Sequence, residues 1–349
     1  MSVINLMKFN HSAGALIADE EQWYRGIRRL LSFDNLQALL DEEMAEKLGV
    51  EVVFGSVGTP SIGFEGGQRI RRRLRELFKA GGGRAAELRT IAGITRIAVG
   101  ELQTLIRELL NQKLNFCFGF NADDLNRGYF ESEAGKVEIK QDSVVKEAQG
   151  IATLQNGNPH VAPIIDHVSI IAGYDPTRGF EWNLFEAAEG GVFVGSGSFE
   201  SIGKGSDVST LSLIAYANRK QLSERRLGFN HMEAMIELLR SFNEAARFNH
   251  EVGGYPHIII IDGEQKERAS RFRELTGDST KLASETVAAM DFGFIDKELG
   301  WRLVEMLLFA GGAADAAEEA LFAGAGDPYA LEHFLRGYKL DSLPGRSAS

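Results

Sequence analysis

Apolar residues fall in short runs near the N-terminus and again in the middle of the chain, with helical spacing between and after them. Val3 to Met7 and Ala13 to Ala18 are apolar runs separated by Lys8-Phe9-Asn10-His11-Ser12, which predicts a β-hairpin ending at Asp19. His167 to Gly173 is a β-rich run, and Asp175-Pro176-Thr177-Arg178-Gly179 carries turn chemistry, with Pro presetting φ and Gly closing the turn. Trp182 to Ala187 reads as the returning strand, Glu189-Gly190-Gly191 as a second turn, and Val192-Phe193-Val194 as a third strand leading into Gly195-Ser196-Gly197-Ser198. Tandem hairpins of this kind predict an antiparallel meander. A helix at about 230–248 follows, then Gly253-Gly254 and a very apolar strand, His257 to Ile261.

Between these regions, Leu36 to Leu48 reads as a short amphipathic helix and Val50 to Gly55 as a strand. Gly66 to Ala80 reads as a helix, and Ala85 to Leu114 as a long helix or helix pair. Residues 121–162 are turn-like and charge-alternating, with an exposed hairpin expected within Glu131 to Lys146 and a turn at Gln155 to Pro159. Beyond Gly263, helical character is expected in Ser270 to Leu275, Lys297 to Phe309, Ala313 to Phe322 and Tyr329 to Tyr338. The end of the chain, DSLPGRSAS from Asp341, has the composition of a disordered tail.

Composition narrows the function classes. The chain has 349 residues, 44% of them apolar, enough for a sizeable core. Its net charge of −11 argues against a general nucleic-acid binder and against attraction to anionic lipid. No apolar run approaches the roughly 20 residues that span a bilayer, and no secretory leader is apparent, so the cytoplasm is the expected compartment. The five arginines at 69, 71, 72, 73 and 75 are expected on a solvated or subunit-contacting helix face. The single cysteine, Cys117, is expected to be a buried thiol. No HxxxH pair or CxxC motif suggests a metal, and no cofactor is expected. Gly197 to Gly205, GSFESIGKG, misses phosphate-loop spacing by one residue and has Gly205 where Ser or Thr is required.

The ordered set of Ala172-Gly173, Asp175, turn, strand, Gly195-Ser196-Gly197-Ser198, long helix, Gly253-Gly254 and apolar strand resembles the second half of a proteasome β-type subunit. These are N-terminal-nucleophile hydrolases. The resemblance implies an α+β fold, a four-layer α-β-β-α sandwich, over residues 1–263. Insertions are then expected at about 36–48 and 121–162, a helical extension over 264–340 and the tail over 341–349. It implies Ser2 as the nucleophile after removal of Met1, with its own α-amine as the base. It also implies that Asp19 orients a cation, here Arg29, which can act electrostatically but cannot carry a proton. Ser196 falls on the serine that hydrogen-bonds near the amine.

Alternatives remain at these positions: a structural ion pair for Asp19 and Arg29, and a Gly-rich turn at Ser196. The pattern departs at Asn249, which stands in place of an acid, and at Val252, which stands in place of a serine. Two functions of different class follow: peptide or amide-bond hydrolysis by Ser2, or a catalytically inactive subunit serving assembly. Either implies a homo-oligomer, as a ring or a helical stack. A peptide substrate follows from the first alone, and no unfoldase partner is specified.

Overall fold

The computed structural model describes residues 2–24, 27–30, 35–133, 135–152, 165–187, 191–195, 197–222, 224 and 228–336; for 21–24, 27–30, 83, 84 and 191 it describes the backbone alone. The first strands are β1 (Val3–Lys8), β2 (Ala13–Asp19), β3 (Glu21–Tyr24), β4 (Ile27–Leu30), β5 (Leu36–Ala38) and β6 (Glu51–Gly58). They are followed by β7 (Tyr129–Ser132), β8 (Gly135–Glu138), β9 (His167–Asp175), β10 (Gly179–Glu186), β11 (Gly191–Val194), β12 (Phe199–Gly203), β13 (Pro256–Asp262) and β14 (Phe272–Leu275). One five-stranded sheet has the order β12-β1-β2-β13-β14 and the other β11-β10-β9-β6-β5; β3-β4 and β7-β8 are separate hairpins. All the described pairings are antiparallel, and the protein is a mixed α+β molecule.

The helices are α1 (Glu42–Leu48), α2 (Pro60–Ala80), α3 (Ile91–Phe118), α4 (Ala122–Arg127), α5 (Asp142–Ala152) and α6 (Ser206–Arg219). Then come α7 (His231–Phe248), the one-turn α8 (Arg268–Arg271), α9 (Asp278–Asp291), α10 (Lys297–Leu308), α11 (Ala314–Ala323) and α12 (Pro328–Arg336). No described helix is long and apolar enough to cross a membrane.

The two-residue period of a strand explains why β1, β2 and β13 read as unbroken apolar runs: both of their faces are buried. Val3, Met7, Ala15, Ile17, Ile258 and Ile260 pack with α6, α7 and the helices after β14. Ile4, Leu6, Leu16, Ala18, Ile259 and Ile261 pack instead with Val53, Ile170, Ala172 and Phe180 of the second sheet. Val52, Phe54, Ile171 and Phe185, on the second sheet's other side, pack with α1, α2, α3 and α5.

Local signals set the helices. Pro60 opens α2, and Ile62, Ile70, Leu74 and Leu77 form its buried stripe. Its arginine face is half-exposed and ion-paired: Arg69 reaches Glu65 at 2.6 Å and Glu108 at 2.7 Å, and Arg73 reaches Glu76 at 3.3 Å. Helix α7 starts at an Asn230 cap, whose side chain accepts from the backbone N–H of Met232 and Glu233. It buries Met235, Leu238, Leu239 and Phe242.

Several expectations are corrected. Leu36–Ala38 is strand β5, paired with β6, and only Glu42–Leu48 is helical. The strand expected over Val50 to Gly55 starts at Glu51 and continues to Gly58. The hairpin expected within Glu131 to Lys146 is formed by Tyr129–Ser132 and Gly135–Glu138, and helix α5 begins at Asp142. In the stretch Ser270 to Leu275, Phe272–Leu275 is strand β14, captured by pairing with β13. Helix α9 adds a fourteen-residue element after Gly277 that the pattern did not suggest. Cys117 is exposed, because α3 runs on to Phe118 and turns that position outward. The turn at 155–159 and the tail 341–349 lie outside the described residues.

Gly14 lets the two sheets approach: a Cβ there would lie 2.4 Å from Phe180 Cζ. Phe180 is fully buried at this contact. Phe180→Ala is expected to lower unfolding free energy by about 3–5 kcal/mol, whereas the exposed Val137→Ala changes it by less than about 0.5 kcal/mol. Urea denaturation of both variants checks the difference.

Candidate functional site

The β1–β2 hairpin brings the start of one strand beside the end of the other. Ile4 pairs with Ala18, so Ser2 and Val3 lie next to Asp19 although 16 or 17 positions separate them in the chain. The backbone N–H of Val3 donates to Asp19 Oδ1 at 2.9 Å. Asn35, immediately before β5, reaches across from the second sheet. Its Nδ2 donates to Ser2 Oγ at 3.1 Å and to the Asp19 carbonyl at 2.7 Å, using both hydrogens of one amide group. Ser2, Asp19 and Asn35 are all buried.

A third segment holds Ser2 from the other side. The Ser2 carbonyl accepts from the Lys204 N–H at 2.9 Å. Glycine is required at 203: φ is +97°, and a Cβ would lie 2.0 Å from the Ser2 carbonyl oxygen. Asn249, at the end of α7, donates from Nδ2 to the Lys204 carbonyl at 2.7 Å, and its Oδ1 accepts from the Glu251 N–H at 3.0 Å. Asn249 thus acts on Ser2 through the Lys204 peptide and does not touch the hydroxyl. Val252 is buried in the core, where its methyl would lie 2.9 Å from a Cβ at Gly205.

Burial dominates the electrostatics. Loss of water around the Asp19 carboxyl pushes its pKa up to about 8, and the N–H groups of Val3 and Gly253 only partly offset this. Next to it, burial raises the pKa of Glu20, while His257 favours its charged form. His257 Nε2 lies 3.0 Å from Glu274 Oε1. On β9, His167 bonds Ser169 Oγ through Nε2 at 2.6 Å, and burial pushes its pKa down to about 4. His167 is therefore a neutral, buried strand residue.

Of the expected site residues, Ser2 and Asp19 come together, and Asn249 joins them indirectly. Arg29 lies in β4 opposite Gln22, and its side chain is outside the described residues. Ser196 also lies outside them; its neighbours flank Trp182, which accepts at its carbonyl from the Gly195 N–H at 3.0 Å. The position facing both Ser2 and Asp19 is filled by Asn35, which sequence reasoning did not single out. Its signal was a polar residue placed directly before an apolar strand. That signal was hidden because Leu36 to Leu48 resembled one helix.

The cluster offers a serine hydroxyl positioned by a neutral donor beside a carboxyl that holds its proton near neutrality. Among the described residues, no group of three or more His, Cys, Asp or Glu is placed to hold a metal ion. No family model matches the chain, and no curated protein matches it.

The raised pKa of Asp19 has a testable sign. The folded state keeps a proton that the unfolded chain releases above about pH 4. The stability due to this group is fully present below that pH and is lost as pH rises to about 8. Wild-type protein is therefore expected to lose stability relative to Asp19→Asn between pH 5 and pH 8, by at most about 1.4 kcal/mol per unit. Urea midpoints of the two proteins across this range check it; parallel profiles would mean that the carboxyl is already ionised.

Proposed function

We propose that the chain is a proteasome-type N-terminal-nucleophile hydrolase that cleaves peptide or other amide bonds with Ser2 after removal of Met1. The observation that carries this reading is the hydrogen-bonded cluster of Ser2 and Asn35 with the Asp19 main chain, on whose carboxyl Val3 N–H is seated. The fold proposed with it is a four-layer α-β-β-α sandwich. Its support is the three-way division of the core: helices against one sheet, sheet against sheet, and helices against the other sheet.

In this reading the Ser2 α-amine takes the hydroxyl proton as Oγ attacks the amide carbonyl. The tetrahedral adduct collapses to an acyl ester as the leaving amine gains that proton. Water then adds to the ester, the amine again serving as base, and the acid is released with Ser2 restored. Asn35 holds the Oγ in place. Asp19 anchors the strand end through Val3 and, when protonated, leaves the neighbouring amine without a negative partner that would raise its pKa. A homo-oligomer, as a ring or helical stack, belongs to the same proposal; Leu211 of α6 and Phe248 of α7, 68% and 71% exposed, are apolar positions it would cover.

A second reading, a catalytically inactive subunit on the same fold, is favoured by one observation. The residue bridging Ser2 and Asp19 is a neutral amide, where the resemblance calls for a cation.

Intact mass and labelling with a β-lactone, which acylates serine, separate the two. Cys117 is exposed and would also react, so the labelling uses Cys117→Ser protein. Hydrolysis predicts a mass short by one methionine, one acyl adduct, and no adduct after Ser2→Ala. Retention of Met1 on the native protein, or equal labelling of Ser2→Ala, rejects Ser2 catalysis in favour of the inactive reading.

A further inference from the structure

Helix α6 carries apolar residues on two opposite sides. Ser209, Leu213 and Tyr216 form its buried side, toward α7, β1 and β12. The other side is a row of Asp207, Leu211, Ile214 and Asn218, all four exposed. Leu211 is 68% and Ile214 40% exposed. The spacing of this row is four, three and four residues, that of the seam along which two helices pack in a coiled coil. From Val208 to Asn218 the helix has no charged residue at all. A surface helix ordinarily turns charged side chains to water, and one that is apolar on both sides is a helix that something covers.

The patch runs beyond α6. Ser209 Oγ donates to the Ser241 carbonyl at 3.2 Å, so that side of α7 lies against α6. Exposed Phe248 comes seven residues, about two turns, after Ser241 and therefore on the same side, next to the start of α6. Exposed Leu222 follows the other end of α6. The inner side of this helix pair is of another kind. Where α6 and α7 meet the end of α9 and α10 there is a groove of about 690 Å³ whose charges are largely matched, Glu233 by Lys220 and Asp291 by Arg240, both at 2.5 Å. On the outer row, Asp207 has no ion pair among the described residues, and Arg219, at the far end of the helix, stands mostly exposed 3.6 Å from Glu237.

We propose that this face docks a second copy of the chain, α6 against α6 about a two-fold axis. Antiparallel pairing sets Leu211 of each copy against Ile214 of the other. It also sets Asp207 against Asn218, with Arg219 beside it, so each end of the contact joins a negative to a positive charge. Parallel pairing would place like charges together at both ends. Phe248 of each copy is brought toward Leu222 of the other. The contact rests on the homo-oligomer proposed with the hydrolase fold and gives it one defined interface, but it does not depend on chemistry at Ser2.

Sedimentation velocity of the full-length protein over a concentration series tests it. The wild type is expected to self-associate, and Leu211→Glu, at an exposed position, to weaken association at least about tenfold. In Cys117→Ser protein, a short bis-maleimide should join Leu211→Cys to Ile214→Cys on mixing, and should not join Leu211→Cys to Val137→Cys. A monomeric wild type, unchanged association of Leu211→Glu, or cross-linking no better than at Val137 overturns the contact. The Ser2 reading fails separately: a monomer whose N-terminus is processed and labelled removes the contact alone, and a retained Met1 on a protein that pairs through α6 removes hydrolysis alone.

Discussion

Strands β1 and β2 carry apolar side chains on both faces and lie inside their sheet, so each face must be covered by something else. One face takes the helices headed by α6 and α7, and the other takes the second sheet through Phe180, Val53 and Ile170. Gly14 makes the second contact possible, since any Cβ there would collide with the Phe180 ring. The N-terminal hairpin is thus covered from both sides, as far as its open end, where Ser2 and Asp19 meet and are buried. Ordering such a terminus otherwise costs conformational entropy that few local contacts could offset.

At that end the molecule buries polar groups rather than exposing them. Burying a charged carboxylate is expensive, and Asp19 responds by holding its proton to about pH 8 while keeping the Val3 N–H bond. Asn35 completes the arrangement with neutral donors and adds no charge. The Lys204 peptide links Ser2 to Asn249, so β1, the start of α6 and the end of α7 meet at one point.

Helix α7 joins the two regions of chemical interest. Its last residues lead to Asn249 at the serine cluster, while Ile236, Arg240 and Arg247 line the groove toward α10. The two regions differ in character. The serine cluster is small and buried, whereas the groove is broad and edged by cations seated on aromatic rings.

Local pattern alone determined much of this protein. Short apolar runs bounded by turn residues placed β1, β2, β9, β10 and β13, and helical spacing placed α2, α7 and α10 to α12. The proximity of Ser2 to Asp19 follows from a hairpin of that length. Tertiary structure decided the rest, for reasons local pattern does not contain. Phe272–Leu275 became a strand because β13 offered an edge to pair with, and Leu36–Ala38 did so because β6 offered another. Cys117 faces outward because the length of α3 sets its phase. Asn35 meets Ser2 because the second sheet carries it there across the inter-sheet core. The choice between strand and helix in a short apolar run, and the identity of a distant hydrogen-bond partner, are settled by which surfaces remain to be covered.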